Sequence, residues 1–279
     1  MLNAFINKKI QGSLVSSVCP SWAAQVLGGE ANRDTEKRLW DIMKPILRLD
    51  KPDPVAAWRE HCNKLKQRCK LLDEKHFTRL HFIGDGTDLW IIPMKTRDWG
   101  SAVWTSETGI EYVGNIPTEE VGIAPDFRET EGTMFCPIPS LVYGTMVKNA
   151  WFVFEHGKVV DYGAESGKEA LDSLLKTDEG ARYAGEAALI DVSSPISRSN
   201  LVFGNILLDE NASCHIALGS AYPPRFAMSY TPDQLREIGC NVSRIHHDFM
   251  IGSKHTTVYG IHGDGSQEEI MHKGEFTLE

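Results

Sequence analysis

The segment Ile245-His246-His247-Asp248-Phe249-Met250 sets an imidazole two residues from a carboxylate inside an apolar run. In a strand, residues i and i+2 share a face. His246 and Asp248 are therefore expected side by side, with His247 turned to the opposite face. An imidazole beside a carboxylate is a donor pair suited to a first-row divalent metal. Phe249, Met250 and Ile251 supply apolar walls that would keep the pair from bulk water. His-x-Asp also occurs on ordinary polar strand faces, so its meaning depends on what the rest of the chain brings to it.

Three other segments offer matching chemistry. Asp209-Glu210-Asn211-Ala212-Ser213-Cys214-His215 runs into Ile216-Ala217-Leu218-Gly219-Ser220-Ala221-Tyr222. The apolar company of His215 implies burial, as a ligand or as a hydrogen-bonded core histidine, and Tyr222 before Pro223-Pro224 fits packing as well as chemistry. Glu186 enters the apolar run Ala187–Ile190. A carboxylate there is costly unless it is paired, metal-bound or able to reach water at the strand edge. In Asn115-Ile116-Pro117-Thr118-Glu119-Glu120-Val121 two adjacent carboxylates point in opposite directions if the chain is extended, so only one can face a site. By itself this segment reads as a solvated loop. Together the segments place two histidines, three acidic residues and a tyrosine at the edges of apolar strands, which is the ligand inventory of a two-metal hydrolase. Two cations a few Å apart need a bridging carboxylate and terminal N/O ligands. The competing chemistry is a mononuclear Fe(II) oxygenase, in which His246-x-Asp248 would be completed by a downstream histidine, His255, His262 or His272.

Composition narrows the field. The 279 residues are 42% hydrophobic and 24% charged, with a net charge of −9. That balance fits a globular chain with a sizeable core and argues against a nucleic-acid surface, which needs a basic patch. No apolar run is long enough to span a bilayer, and the N-terminal segment lacks a continuous apolar stretch of signal-peptide type. None of the six cysteines forms a C-x-x-C pair. Reduced thiols in a cytoplasmic protein are the expectation.

The elements that must position these groups can also be read. Residues 1–75 are expected to be a mainly helical lead-in and residues 76–279 a β-rich, metal-binding part. A helix is expected over 32–48, capped by Asn32 or Asp34 and open to a kink at Pro45. Another begins at Asp53-Pro54 and runs to Lys75, with Cys62 and Cys69 on one side. Hairpins are expected at Gly84-Asp85-Gly86, His156-Gly157 and Asp264-Gly265. Ser166-x-x-Glu169 and Thr231-x-x-Gln234 read as capping boxes, with Gly239 ending the second helix. The fold class expected is α+β, with a largely antiparallel or mixed sheet and flanking helices.

The segments NIPTEEV (115–121), TDEGARYAGEAAL (177–189), LLDENASCHIALGSAY (207–222) and IHHDFMIGS (245–253) resemble the M29 family of metallo-aminopeptidases, the aminopeptidase T, AmpS and PepS group. DPVAAW (53–58), GTDL (86–89) and GKVVDY (157–162) belong to the same resemblance, which runs from about residue 20 to about 270. It implies a catalytic domain over 1–279 that removes N-terminal residues from peptides with two divalent ions (Zn, Co, Mn or Mg), in a cytoplasmic homodimer. Carried over by motif, the metal ligands are Glu120, Glu186, His215, His246 and Asp248, with Glu186 as the bridge. Tyr222 matches the active-site tyrosine, and Glu120 or Glu119 is left to carry a proton. The chain departs from the pattern at Gly122, where an aromatic residue is usual, and at His247, where an apolar one is. Family members carry a further N-terminal α/β domain before the part matched here. The alternative expectation is therefore a metal-binding fragment with impaired catalysis.

Overall fold

The computed structural model describes residues 10–95 and 99–278. Helix α1 (Pro20–Leu27) opens with a proline in its first turn, a position that needs no N–H. Pro20 thus begins a helix where an interruption of the N-terminal segment was expected. In α2 (Arg33–Ile46) the Asn32 side chain accepts from the backbone N–H groups of Asp34 and Thr35, while Leu39, Met43 and Ile46 form a buried stripe. Pro45 stands one residue before α2 ends. Helix α3 (Pro54–Lys75) has the expected start: Asp53 accepts from the Ala56 N–H and Pro54 leads the first turn. It buries Cys62, Leu65, Cys69 and Leu72 along one side. Both thiols are free, and burial pushes that of Cys69 up to about 12, so these cysteines act as small core residues.

Two sheets hold the rest of the chain together. Their strands are β1 (Arg79–Gly84), β2 (Thr87–Ile91), β3 (Val121–Ile123), β4 (Glu131–Cys136), β5 (Ala150–Glu155) and β6 (Lys158–Gly163). They continue with β7 (Ala184–Leu189), β8 (His215–Gly219), β9 (His246–Met250), β10 (Thr257–Ile261), β11 (Gln267–His272) and β12 (Glu275–Phe276). The larger sheet has the order β6-β5-β4-β2-β1-β10-β11-β12, and the smaller β9-β8-β7-β3. Every pairing in both is antiparallel. The three expected hairpins join β1 to β2, β5 to β6 and β10 to β11.

One capping expectation holds and one fails. Thr231 and Gln234 form a reciprocal capping box at the start of α5 (Pro232–Glu237). Helix α4 (Lys168–Leu175) forms without one: it is entered through Gly167 at φ 81, with no side-chain cap. Ser166 is instead held by its backbone, whose carbonyl accepts from the Lys148 N–H. Left-handed entry at Gly167 carries the chain into the helix before the Ser166 hydroxyl can serve its N-terminus.

Register gives the smaller sheet its two faces. Ile123 pairs with Ala187, which pairs with Ile216, which pairs with Phe249. These four side chains enter the main hydrophobic core together with Val121, Leu189 and Leu218. Helix α3 contributes Leu65, Cys69 and Leu72 to the same core, and the larger sheet contributes Leu80, Phe82, Leu89 and Phe152. One row along, Gly122 pairs with Ala188 and Ala188 with His215. The next row runs Glu186, Ala217, Asp248, and the last pairs Gly219 with His246. Alternation along each strand thus sends one set of side chains into the core and leaves the other set to the candidate site.

Candidate metal centre

Five of the side chains singled out from sequence meet on this second face. The rows given by the register put Glu186, His215, His246 and Asp248 on three adjacent strands, with Glu120 one residue before β3. Small residues lie between them: Gly122, Ala188, Ala217 and Gly219. At Gly122 an added Cβ would stand 2.6 Å from Glu186 Oε1, so a side chain there would shift the end of that carboxylate from its present place. The departure noted at Gly122 thus makes room for the Glu186 carboxylate.

Distances divide the face into two overlapping groups. Glu120, Glu186 and His215 each offer one donor atom within 4.8 Å of the others, and so do Glu186, His246 and Asp248. Glu186 belongs to both. His246 Nε2 lies 3.3 Å from Glu186 Oε2 and 3.4 Å from Asp248 Oδ1. His215 Nε2 lies 3.6 Å from both Glu120 Oε2 and Asp248 Oδ1. The opposite ring nitrogens are occupied. His215 Nδ1 donates to the Glu210 carbonyl at 2.8 Å, and His246 Nδ1 donates to the Ser220 carbonyl at 2.7 Å. Those bonds set each ring with Nε2 turned inward and free to ligate, an arrangement common for metal-binding histidines.

The protonation balance of the cluster also fits a cation. Glu120 is pushed up to about 7 by burial and by the neighbouring charge of Glu186. Burial, reinforced by Asp248, Glu120 and Glu186, raises the Glu210 carboxyl well above its usual range. Asp248 is held below the carboxylate range, because the imidazoles of His246 and His215 outweigh its burial. Burial alone would lower His246, but Asp248 and Glu186 raise it. Such a nest of carboxylates repels itself unless protons or cations compensate it, and nitrogen and oxygen donors at this spacing suit divalent metals.

The adjacent carboxylates separate as an extended chain demands. Glu120 faces His215, whereas Glu119 turns away and accepts from Arg48 Nη2 at 2.9 Å. His247 points off the metal face, where its Nε2 meets Ser140 Oγ at 2.9 Å. Tyr222 stands at the lip, its ring centroid 4.9 Å from that of His246. The residue is 54% exposed, yet its surroundings desolvate the hydroxyl and push the phenol up to about 12, leaving it protonated and able to donate. The downstream histidines are engaged elsewhere: His255 with Asp85, His262 with Glu268 and His272 with Glu269.

Sequence reading missed the groups that steady this face. Glu210 joins the cluster electrostatically and orients His215 through its carbonyl. Its neighbour Asp209 turns the other way and accepts from the N–H groups of Phe203 and Asn205. The pair Asp209-Glu210 leads the segment that carries His215, but residues 210–212 form a 3₁₀ turn, where two-residue alternation does not apply.

The family model described as thermophilic metalloprotease (M29) matches residues 1–276. The chain belongs to the M29 metalloprotease family. Its M29 relatives include Aminopeptidase 2 of Geobacillus stearothermophilus, 38% identical over 96% of this chain, and Aminopeptidase T of Thermus aquaticus, 38% identical over 95%. In each case the chain spans 65% of the relative's own length. The solved structure of AmpT from Thermus thermophilus superposes with a TM-score of 0.91 at 34% identity, covering 99% of this M29 chain and 68% of that one. The 2,5-dihydroxypyridine dioxygenase of Pseudomonas putida KT2440 shares the fold alone, with a TM-score of 0.54 at 12% identity over 77% of this chain and 60% of that chain. Membership of a metalloprotease family implies the use of divalent metal. Among the described residues, no helix is long and apolar enough to cross a membrane.

Proposed function

We propose that this M29 chain is a metal-dependent aminopeptidase that removes N-terminal residues from peptides, with two divalent cations held on the β3–β7–β8–β9 face. The observation that carries this reading is the sharing of Glu186 by two donor groups. Glu120 and His215 would complete one cation site, and His246 and Asp248 the other. When bound, the cations supply activation of a water molecule and polarisation of the scissile carbonyl.

The chain's own residues do the remaining work. Tyr222 keeps its proton and donates it as a hydrogen bond to the carbonyl oxygen as negative charge develops there. The free amino terminus of the peptide is drawn to the acidic cluster, which restricts cleavage to the first bond. A proton must pass to the leaving amine. Glu119 is tied to Arg48, so this role falls to a carboxylate facing the cluster, Glu120 or Glu210. Tyr222→Phe is expected to lower kcat by about 10²- to 10³-fold while KM changes little, since the bond is strongest in the transition state. Steady-state kinetics on a leucyl peptide check this, and an unchanged kcat would remove Tyr222 from the reaction.

The names of the relatives support the reaction class, and the same proposal takes the ions as Zn, Co, Mn or Mg and the protein as a cytoplasmic homodimer. The deciding experiment combines metal analysis with release of free amino acids from short peptides. About two cations per chain with stepwise N-terminal release supports the proposal. The alternative is a cation-binding chain without hydrolysis. Two cations bound with no amino acid released would select it. The oxygenase reading would need oxygen-dependent turnover, and the downstream histidines it called on are paired elsewhere.

A further inference from the structure

The proposed donor cluster is steadied from two separate directions. On the Glu120 side, the anchor is Arg48, which follows α2 with a backbone φ of 57, in the left-handed region that non-glycine residues seldom adopt. Its side chain is 10% exposed, and its guanidinium stacks 4.5 Å from the centre of the Trp58 ring on α3. It donates to Glu119, which is itself 8% exposed. His61, also on α3, places Nε2 2.7 Å from the Thr118 carbonyl and 3.6 Å from Glu119 Oε2. The Glu119 N–H donates to Asn211 Oδ1 at 2.8 Å. Asn211 directly follows Glu210, whose carbonyl orients His215. One chain of contacts therefore runs from α2 and α3 to both terminal donors of the Glu120–Glu186–His215 group.

The His246 side is held differently. Ser220 supplies the carbonyl that orients His246, and the Ser220 N–H returns to the Ile245 carbonyl at 2.7 Å. Asn241 Nδ2 donates to the carbonyls of Gly219 and Gly180, at 2.6 and 2.8 Å. The Asn241 carbonyl accepts from the Ala221 N–H. None of these partners comes from α2 or α3.

We propose that Arg48 and Glu119 are positioning residues for the Glu120–His215 cation site alone, while Asn241 and Ser220 serve the His246–Asp248 site, so that one can be weakened without the other. This rests on the two-cation reading above. Buried ion pairs lend themselves to such a role, since their net contribution to stability is small while their geometry is demanding. Groups that orient metal ligands typically contribute 10- to 100-fold in metal affinity.

The test is a titration of the metal-free full chain with Zn²⁺ against a chromophoric chelator. The variants are Glu119→Gln and the double variant Arg48→Met/Glu119→Gln, which removes the pair together and leaves no lone buried charge. Each is expected to weaken one Zn²⁺ equivalent by about 10- to 100-fold and leave the other unchanged. In a Glu120→Gln background the double variant should add no further loss. In an Asp248→Asn background its full effect should persist. Arg48→Lys, which keeps the charge, should lose less affinity than the double variant. Equal weakening of both equivalents, or of neither, overturns the proposal. A wild-type chain that binds fewer than two Zn²⁺ overturns the reading beneath it instead.

Discussion

Glu186→Gln is expected to lower peptide turnover by on the order of 10³-fold or more and to reduce bound metal below two per chain. The substitution is nearly isosteric, so strand β7 and its pairing with β3 and β8 should remain intact. What it removes is one negative charge and one oxygen donor at the only position that belongs to both donor groups among the described residues. The Glu120–His215 and His246–Asp248 groups each keep two of their own donors, but no carboxylate then joins them. Metal analysis and kinetics on the same preparation separate this from unfolding, because circular dichroism and melting temperature should stay close to wild type. Retained turnover with full metal content would rule out the bridging role.

Removal of the cations should abolish turnover and also change the sign of the protein's response to pH. In the metal-free chain Glu120 is raised from 4.5 to about 7, and Glu210 and His246 are raised as well. Each binds its proton more tightly folded than unfolded, so the stability it contributes is present at low pH and is lost as pH rises through the folded value. His61, lowered to about 4, and His247, also lowered, work in the opposite sense. Their influence is complete once pH exceeds the unfolded imidazole value of 6.5. Between about pH 6.5 and 8 the cluster therefore dominates, and the melting temperature of the chelated protein should fall. Divalent cations bind the deprotonated donors, so they should raise the melting temperature most at the upper end of that window. At a cation concentration about 100 times Kd the gain is roughly 2.7 kcal/mol for one site. Differential scanning calorimetry at several pH values checks both slopes. A chelated protein that grows more stable from pH 6.5 to 8 would contradict the charge balance described.

The parts of this architecture that were legible in sequence are those governed by local rules. Asp53-Pro54 fixed the start of α3, because a side-chain cap and a first-turn proline act within four residues. Two-residue alternation placed His246 with Asp248 and turned His247 away, and it required Glu119 and Glu120 to part. It could not say which of the two faces the donor cluster. That is decided by Arg48, 71 residues earlier, whose buried guanidinium claims Glu119. No local pattern around Arg48 announces such a contact. Asn211 and Asn241 were invisible for the same reason: their amides bond backbone groups that only the folded chain brings near. Ser166 shows the converse failure, where a local signal was overridden because its backbone pairs with Lys148 and Gly167 admits a different entry to the helix.

The most direct measurement is anomalous diffraction from crystals of the full chain soaked in Zn²⁺ or Mn²⁺. The account predicts two peaks a few Å apart, one beside Glu120 and His215 and the other beside His246 and Asp248, with the Glu186 carboxylate between them. A single peak, or two peaks that do not share Glu186, would contradict it.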